Sequence, residues 1–319
     1  YDINLYDEIG PDLSNYEQGF KGKSTAEFPY DLNALMELNQ GYDIIKSTPF
    51  GNTMITDFAL SAIEAENLGA DDYTDFLTVS YSSTDYIGHN FGINSVELQD
   101  AYLRLDLEIE RLLNYLDANV GVGNYTLFLS SDHGAADVPS FLTDMHIPSG
   151  YVTQNSFTSL YASLQKKYGV SDLIKKISNN QVFLNQERIT ALKVELEDVQ
   201  KFVVNEIINY PHIKKAYTAT TMQTRYFKEG VEKMLQHGYN QKMSGDVLFT
   251  LESGVISYGP KGTTHGSGFN YDTHVPLLFY GNGIQPGKTY ERTSVTDIAP
   301  TISALLGIAF PSGATGTVI

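Results

Sequence analysis

The sequence predicts an α/β fold of three layers, α/β/α, with helices on both faces of a mostly parallel central sheet. Three observations carry that prediction. Apolar, β-favouring runs alternate with segments of helical period, the order that feeds a parallel sheet through helical crossovers. Each of the first runs stops at polar residues and then presents a carboxylate and an imidazole, as strands do where a doubly wound sheet gathers its loops. The length, 319 residues, suits one large domain or one domain with an insertion.

In chain order, residues 1 to about 40 are mostly polar and broken by Gly10-Pro11, Gly19, Gly22 and Phe28-Pro29. That texture describes a segment lying over a body, not a founding strand. Residues 53–68 form a helix, since Ile55, Phe58, Ala59, Ala62, Ile63 and Ala65 keep one stripe, with Asn52 as its cap and Gly69 as its end. Residues 75–81 are a short apolar strand that ends in Ser82-Ser-Thr-Asp85-Tyr-Ile-Gly88-His89. Residues 96–118 alternate at Leu103, Leu105, Leu107 and Ile109, as a strand would. Leu98, Tyr102, Leu105, Ile109, Leu112 and Leu116 keep a 3–4 spacing over five turns, however, which only a helix supplies. Asn94 with Glu97 three positions on resembles a capping box at its start. Residues 125–129 are a second apolar strand, ending at two serines before Asp132-His133-Gly134.

Residues from about 141 to 245 carry weaker signals: helices near 156–168 and 195–209, and a hairpin near 181–189. None brings ligand types together, and the block reads as an elaboration of a single domain spanning 1–319, one that covers or shapes a site. Within residues 259–283 a glycine-rich loop bears His265 and a strand over 275–280 follows it. Residues 297–306 form a last helix, with Pro300 tolerated in the first turn and Gly307 at the end.

The charge narrows the partners. Lys+Arg 21 against Asp+Glu 38 leaves a net charge of -17, which disfavours a nucleic-acid polymer or an anionic membrane as a partner through a broad basic face. A small phosphorylated substrate stays compatible, because a local metal cluster holds an anion inside an acidic protein. The sequence has no cysteine, hence neither a disulfide framework nor a thiolate metal site. No run of 18 apolar residues predicts a transmembrane segment.

Five groups beside these strand ends, Asp85, His89, Asp132, His133 and His265, are of the types that bind zinc, and they are more than one tetrahedral ion needs. Two ions are expected. Taken singly, Asp-x-x-Gly-His and His265 each read equally well as satisfied structural histidines; it is their recurrence beside three strands that favours a metal. His146, His212 and His237 lie in the elaboration without acidic or histidine partners at ligand spacing and read as structural or exposed. His274 directly precedes a strand and is left outside the ligand set.

Asp85-Tyr-Ile-Gly-His89, Ser131-Asp132-His133-Gly134 and Thr264-His265-Gly-Ser followed by Val275-Pro-Leu resemble the metal-binding motifs of the alkaline phosphatase superfamily. Within it they resemble the nucleotide pyrophosphatase/phosphodiesterase branch, closest to the phosphate-irrepressible bacterial alkaline phosphatases. The likeness covers most of residues 45–140 and 255–317 and is loose between them. It implies an alkaline phosphatase-like fold whose N-terminal part is missing here. It also implies one zinc held by Asp85, His89 and His265, and a second held in part by Asp132 and His133.

The family completes the second site with a further Asp and uses a Thr or Ser nucleophile at a helix start. Both are expected upstream of residue 1; Thr84 and Thr264 stand in the wrong motif context. The implied activity is zinc-dependent hydrolysis of phosphate monoesters through a two-metal site and a covalent phospho-enzyme, in a periplasmic or secreted protein. A phosphodiesterase or nucleotide pyrophosphatase of the same superfamily is the alternative within enzymes. A non-catalytic metal-binding fragment is the alternative outside them.

Overall fold

The computed structural model describes residue 12 and residues 14–319; the rest of the opening polar segment lies outside the described residues. From residue 14 onward that segment does lie over a body. Phe20 and Ala26 are buried with Leu35, Ile44, Ile87, Phe91, Leu98 and Ala101 in one apolar cluster. Phe20 meets Tyr30 and Phe91 edge-on at 5.0 and 5.4 Å, a favoured aromatic geometry.

Helix α1, Leu32–Leu35, is capped by the Asp31 side chain accepting from the Ala34 amide. Helix α2 is Pro49–Ala65, so it starts and ends earlier than its apolar stripe predicts. Pro49 explains the start, because its fixed φ and missing amide suit the first helical position after extended Thr48. Asn52 is therefore not a cap. It sits buried inside α2 and accepts the Ser83 amide at 3.2 Å through its side-chain carbonyl, tying α2 to the next helix.

Residues 75–81 run extended but form no strand: none of their amides has a backbone acceptor among the described residues, and Phe76 and Leu77 are exposed. An apolar extended run becomes a strand only with a lateral neighbour, and none is present there among the described residues. Helix α3, Ser83–Phe91, follows at once. Helix α4, Val96–Leu116, is the long helix that the 3–4 spacing predicts. Leu98 and Leu112 of that stripe are buried, whereas Leu103 and Leu107 of the competing alternation are exposed. Its cap is Ser95, which accepts the Leu98 amide, not Asn94, whose side chain donates to Asp137 instead.

Strand β1, Thr126–Ser130, leads into the Asp-His-Gly turn. After α5 (Pro139–Asp144) and β2 (Gly150–Tyr151) comes the elaboration: α6 (Thr158–Tyr168), β3 (Ile174–Ser178), β4 (Gln181–Leu184), α7 (Gln186–Ala191), α8 (Leu196–Ile207), β5 (Ile213–Thr218), α9 (Ala219–Thr224), α10 (Gly230–Gly238) and β6 (Val247–Leu251). Strand β7 is Val255–Ile256, helix α11 Asn270–Thr273, strand β8 Leu277–Gly281 and helix α12 Ile298–Leu305. Pro300 lies in the first turn of α12, and Gly307 follows its end with φ +64°, as the sequence predicts.

The hairpin near 181–189 is displaced. Its strands are β3 and β4, turning at Asn179 and Asn180, both with positive φ, the left-handed pair that a tight hairpin requires. Among the described residues β1 pairs antiparallel with β8, β2 pairs parallel with β7, and the elaboration carries an antiparallel sheet in the order β3-β4-β6-β5. That sheet and helices α6 and α8 enclose a second apolar cluster, in which Leu160, Leu164, Leu173, Val182, Val199, Val203, Ile207 and Val247 are fully buried.

Candidate functional site

Helix α3 places Asp85 and His89 one turn apart on one face. The His89 Nε2 lies 3.3 Å from Asp85 Oδ2, and its Nδ1 lies 2.7 Å from the Thr263 carbonyl, which fixes the ring and leaves Nε2 toward the carboxylate. From the glycine-rich loop, His265 Nε2 approaches the other oxygen, Asp85 Oδ1, at 3.6 Å. His133, just past β1, stacks on the His265 ring with centroids 3.3 Å apart. Its Nδ1 is 2.8 Å from the Gly134 carbonyl, and its Nε2 is 3.4 Å from Oδ2 of the exposed Asp132. Asp85, His133 and His265 each bring a donor atom within 4.8 Å of the others.

Three hydrogen bonds, one from a side-chain hydroxyl and two between backbones, draw the loops together. Thr263 donates its hydroxyl to the Ala136 carbonyl at 2.6 Å, and the Ala136 amide donates to the Thr264 carbonyl at 3.2 Å. The Gly134 amide donates to the Asp272 carbonyl at 2.8 Å. The glycine after Asp-His is required by that approach, since a β-carbon there would lie 2.1 Å from the Tyr271 carbonyl oxygen. Gly262 is constrained twice over, by φ +73° and by a would-be contact of 2.1 Å with the His89 carbonyl oxygen.

Electrostatics follow the geometry. Burial pushes the Asp85 carboxyl up, but the hydrogen bond from His89 and the nearby His89, His265 and His133 charges hold it below its ordinary value. The bond to Asp85 raises the His89 imidazole above its ordinary value against the cost of its burial. Burial, reinforced by His133, lowers His265 and so favours its neutral, electron-donating form. Two imidazoles converging on the two oxygens of one carboxylate, each with its far nitrogen either anchored or free, form a donor set of the kind that holds a borderline-soft divalent ion.

Two supporting residues carry no sequence signal. Asp272, buried in α11, accepts the Gly266 and Ser267 amides on Oδ2 at 3.1 and 2.6 Å and thereby shapes the turn that carries His265. Tyr258 stacks on His89 at 5.7 Å. The remaining histidines stand apart from the cluster: His146, His237 and His274 are exposed. His212 does have an acidic neighbour, Glu252, at 3.5 Å, which the sequence spacing hid because the two are joined only by the approach of β5 to β6. Thr84 donates its hydroxyl to the Tyr81 carbonyl, and no nucleophile is assigned among the described residues.

Residues 14–275 match the family described as type I phosphodiesterase / nucleotide pyrophosphatase. A Myroides odoratus protein named calcium-transporting ATPase is 46% identical over the whole of this chain and 59% of its own length. Alkaline phosphatase PafA of Elizabethkingia meningoseptica is 41% identical over 98% of this chain and 58% of its own. The crystal structure of wild-type alkaline phosphatase PafA superposes on the whole chain with a TM-score of 0.92 at 40% identity, covering 61% of that structure. The chain thus spans somewhat under two thirds of the length of these relatives, and among its described residues no helix is long and apolar enough to cross a membrane. With three motifs converging on one rim, the family match and an alkaline phosphatase-like α/β fold, this chain belongs to the type I phosphodiesterase / nucleotide pyrophosphatase family of the alkaline phosphatase superfamily.

Proposed function

We propose that the protein is a zinc-dependent phosphoric-ester hydrolase of the alkaline phosphatase type, acting on phosphate monoesters. One observation supports this above the others: a single carboxylate, Asp85, is met on its two oxygens by His89 and His265. In this reading Asp85, His89 and His265 hold one zinc, and Asp132 with His133 holds part of a second. Two such ions, when bound, would lower the pKa of an attacking hydroxyl and stabilise the leaving oxygen. The chain's own residues fix the donors. The Thr263 carbonyl orients His89, Asp272 shapes the His265 turn, and the elaboration at about 141–245 shapes the approach to the site as part of one domain. Hydrolysis proceeds through a covalent phospho-enzyme, and the acidic chain meets an anionic substrate through metal charge. Alkaline phosphatase PafA, a relative over nearly the whole chain, supports the monoester assignment, and a periplasmic or secreted location is proposed with it.

The whole protein should lose turnover of p-nitrophenyl phosphate on chelation and regain it with zinc. Activity indifferent to chelators would remove the reading. The family name itself favours a second reading, a phosphodiesterase or nucleotide pyrophosphatase; a higher rate on bis-p-nitrophenyl phosphate than on the monoester would establish it. Zinc binding with no turnover of either substrate would identify a metal-binding module without catalysis.

A further inference from the structure

Apart from the Asp/His cluster, a second group of acids converges without any imidazole. Asp12, Glu17 and Glu97 each bring a carboxylate oxygen within 4.8 Å of the others. Glu17 and Glu97 are 4% and 5% exposed, an environment in which a charged carboxylate is costly unless paired. Some of their oxygens are committed. The Phe28 amide donates to Asp12 Oδ2 at 2.7 Å, and the Tyr30 hydroxyl donates to Glu97 Oε1 at 2.6 Å. The Oε2 atoms of both Glu17 and Glu97 are buried with no hydrogen-bond partner among the described residues. Two orphaned carboxylate oxygens in one buried place call for a proton or a cation, since native interiors rarely leave such atoms unsatisfied.

We infer that Asp12, Glu17 and Glu97 form a binding site for a hard divalent cation of the Ca2+ class, separate from the Asp/His cluster. The donor chemistry selects the ion: three carboxylates and no nitrogen or sulfur suit calcium, which takes six to eight oxygens, better than zinc. The position gives it a structural task. Asp12 and Glu17 belong to the opening segment, and Glu97 to the first turn of α4, so a shared cation fastens that segment to the helix. Between them the same segment touches helix α3 and the glycine-rich loop that bears His265, since the Tyr16 carbonyl accepts the Gly262 amide at 2.7 Å and the Gln18 amide donates to the Asn90 carbonyl at 2.8 Å. Without a cation, burial and the neighbouring acids push the Glu17 carboxyl up to about 8, against the Ser14 side chain and the weaker pull of Lys261, and burial pushes Glu97 up to about 7, against the Tyr30 hydrogen bond and the weaker pull of Lys23.

The test uses this chain with zinc saturating throughout, so that its outcome does not depend on the Asp/His centre. Calcium in hundredfold excess over its dissociation constant should raise the thermal midpoint by about 5 °C. Terbium should show tyrosine-sensitised emission that calcium quenches by displacement, because the chain has no tryptophan and Tyr30 touches the site. The Glu17→Gln/Glu97→Gln double variant should lose both responses. Tyr30→Phe, which keeps the ring, should lose most of the emission and retain the calcium shift. An unchanged midpoint in the parent with calcium overturns the proposal, as does a calcium shift that survives in the double variant. A parent indifferent to calcium beside a double variant that melts higher would show that the two glutamates share a proton instead.

Discussion

Asp85 is the residue on which the site turns, because its two oxygens are shared by imidazoles from sequence positions four and 180 residues away. Asp85→Asn keeps the size and removes the charge. In a competition titration against a chromophoric chelator the proposed ligand set requires this variant to bind its first zinc at least about 100-fold more weakly. Asp272 acts one step further out. Asp272→Ala strands the Gly266 and Ser267 amides that it now accepts, and should weaken zinc binding about 10- to 100-fold, the usual effect of removing support behind a ligand. His146→Ala, on an exposed residue, should leave the same titration unchanged. Asp85 was legible in the sequence because its four-residue interval to His89 stands alongside two further stretches of ligand types, at Asp132-His133 and at His265, and carries the family resemblance. Asp272 was not, since a lone Asp near a loop acquires its role only when two amides are folded onto it.

At the scale of elements, the elaboration is held by two kinds of force. Leu160 in α6 is fully buried in the second apolar cluster, so Leu160→Ala should cost about 2–5 kcal/mol in urea unfolding while zinc per chain stays constant. Helix α10 is instead pinned to β5 by charge: Glu232 pairs with Lys215 and accepts the Tyr217 hydroxyl at 2.9 Å. Chiefly through the Lys215 hydrogen bond, the Glu232 carboxyl is held down at about 2. A depressed acid stabilises the fold above its unfolded pKa, and that contribution disappears as pH falls from about 4.5 through about 2. Because Lys215 is 45% exposed, solvent screening reduces the pair to about 1 kcal/mol. Glu232→Gln should therefore flatten the acid limb of the stability curve by that amount and leave the region below pH 2 unaltered. The helices of this block, α6 and α8, were readable from their apolar period. Strands β5 and β6 were not, because their pairing is non-local and each run is too short to show a period before its partner arrives.

For the whole molecule, the two apolar clusters and the strand ladder beside the Asp/His cluster set where the structure should open first. Residues 75–81 have no backbone acceptors for their amides among the described residues, whereas β1 is laddered to β8 along its length. In hydrogen exchange on this chain, amides of 75–81 should exchange at close to the unprotected rate, and those of 127–130 that bond to β8 should be markedly slower. Equal protection of the two segments would mean that 75–81 finds a partner in solution. The apolar pattern of both segments is the same kind of signal, which is why the sequence reads both as strands. Only a neighbour's position distinguishes them.

The sequence alone determined which donor types stand beside the predicted strand ends. Asp85, His89, Asp132, His133 and His265 are picked out by residue type and by recurrence in three separate stretches, and the family resemblance makes them the proposed metal ligands. It also determined helices α2, α4, α6, α8 and α12, whose apolar period or end signals are written locally. Tertiary structure decided everything that depends on distance along the chain: that Asn52 bridges two helices and caps none, that Asp272 and Thr263 brace the ligand loops, and that Asp12 and Glu17 meet Glu97 across some eighty residues. The physical reason is common to all of these. A hydrogen bond or a shared buried charge is defined by proximity within a few ångströms, and proximity between remote residues exists only after the chain has packed.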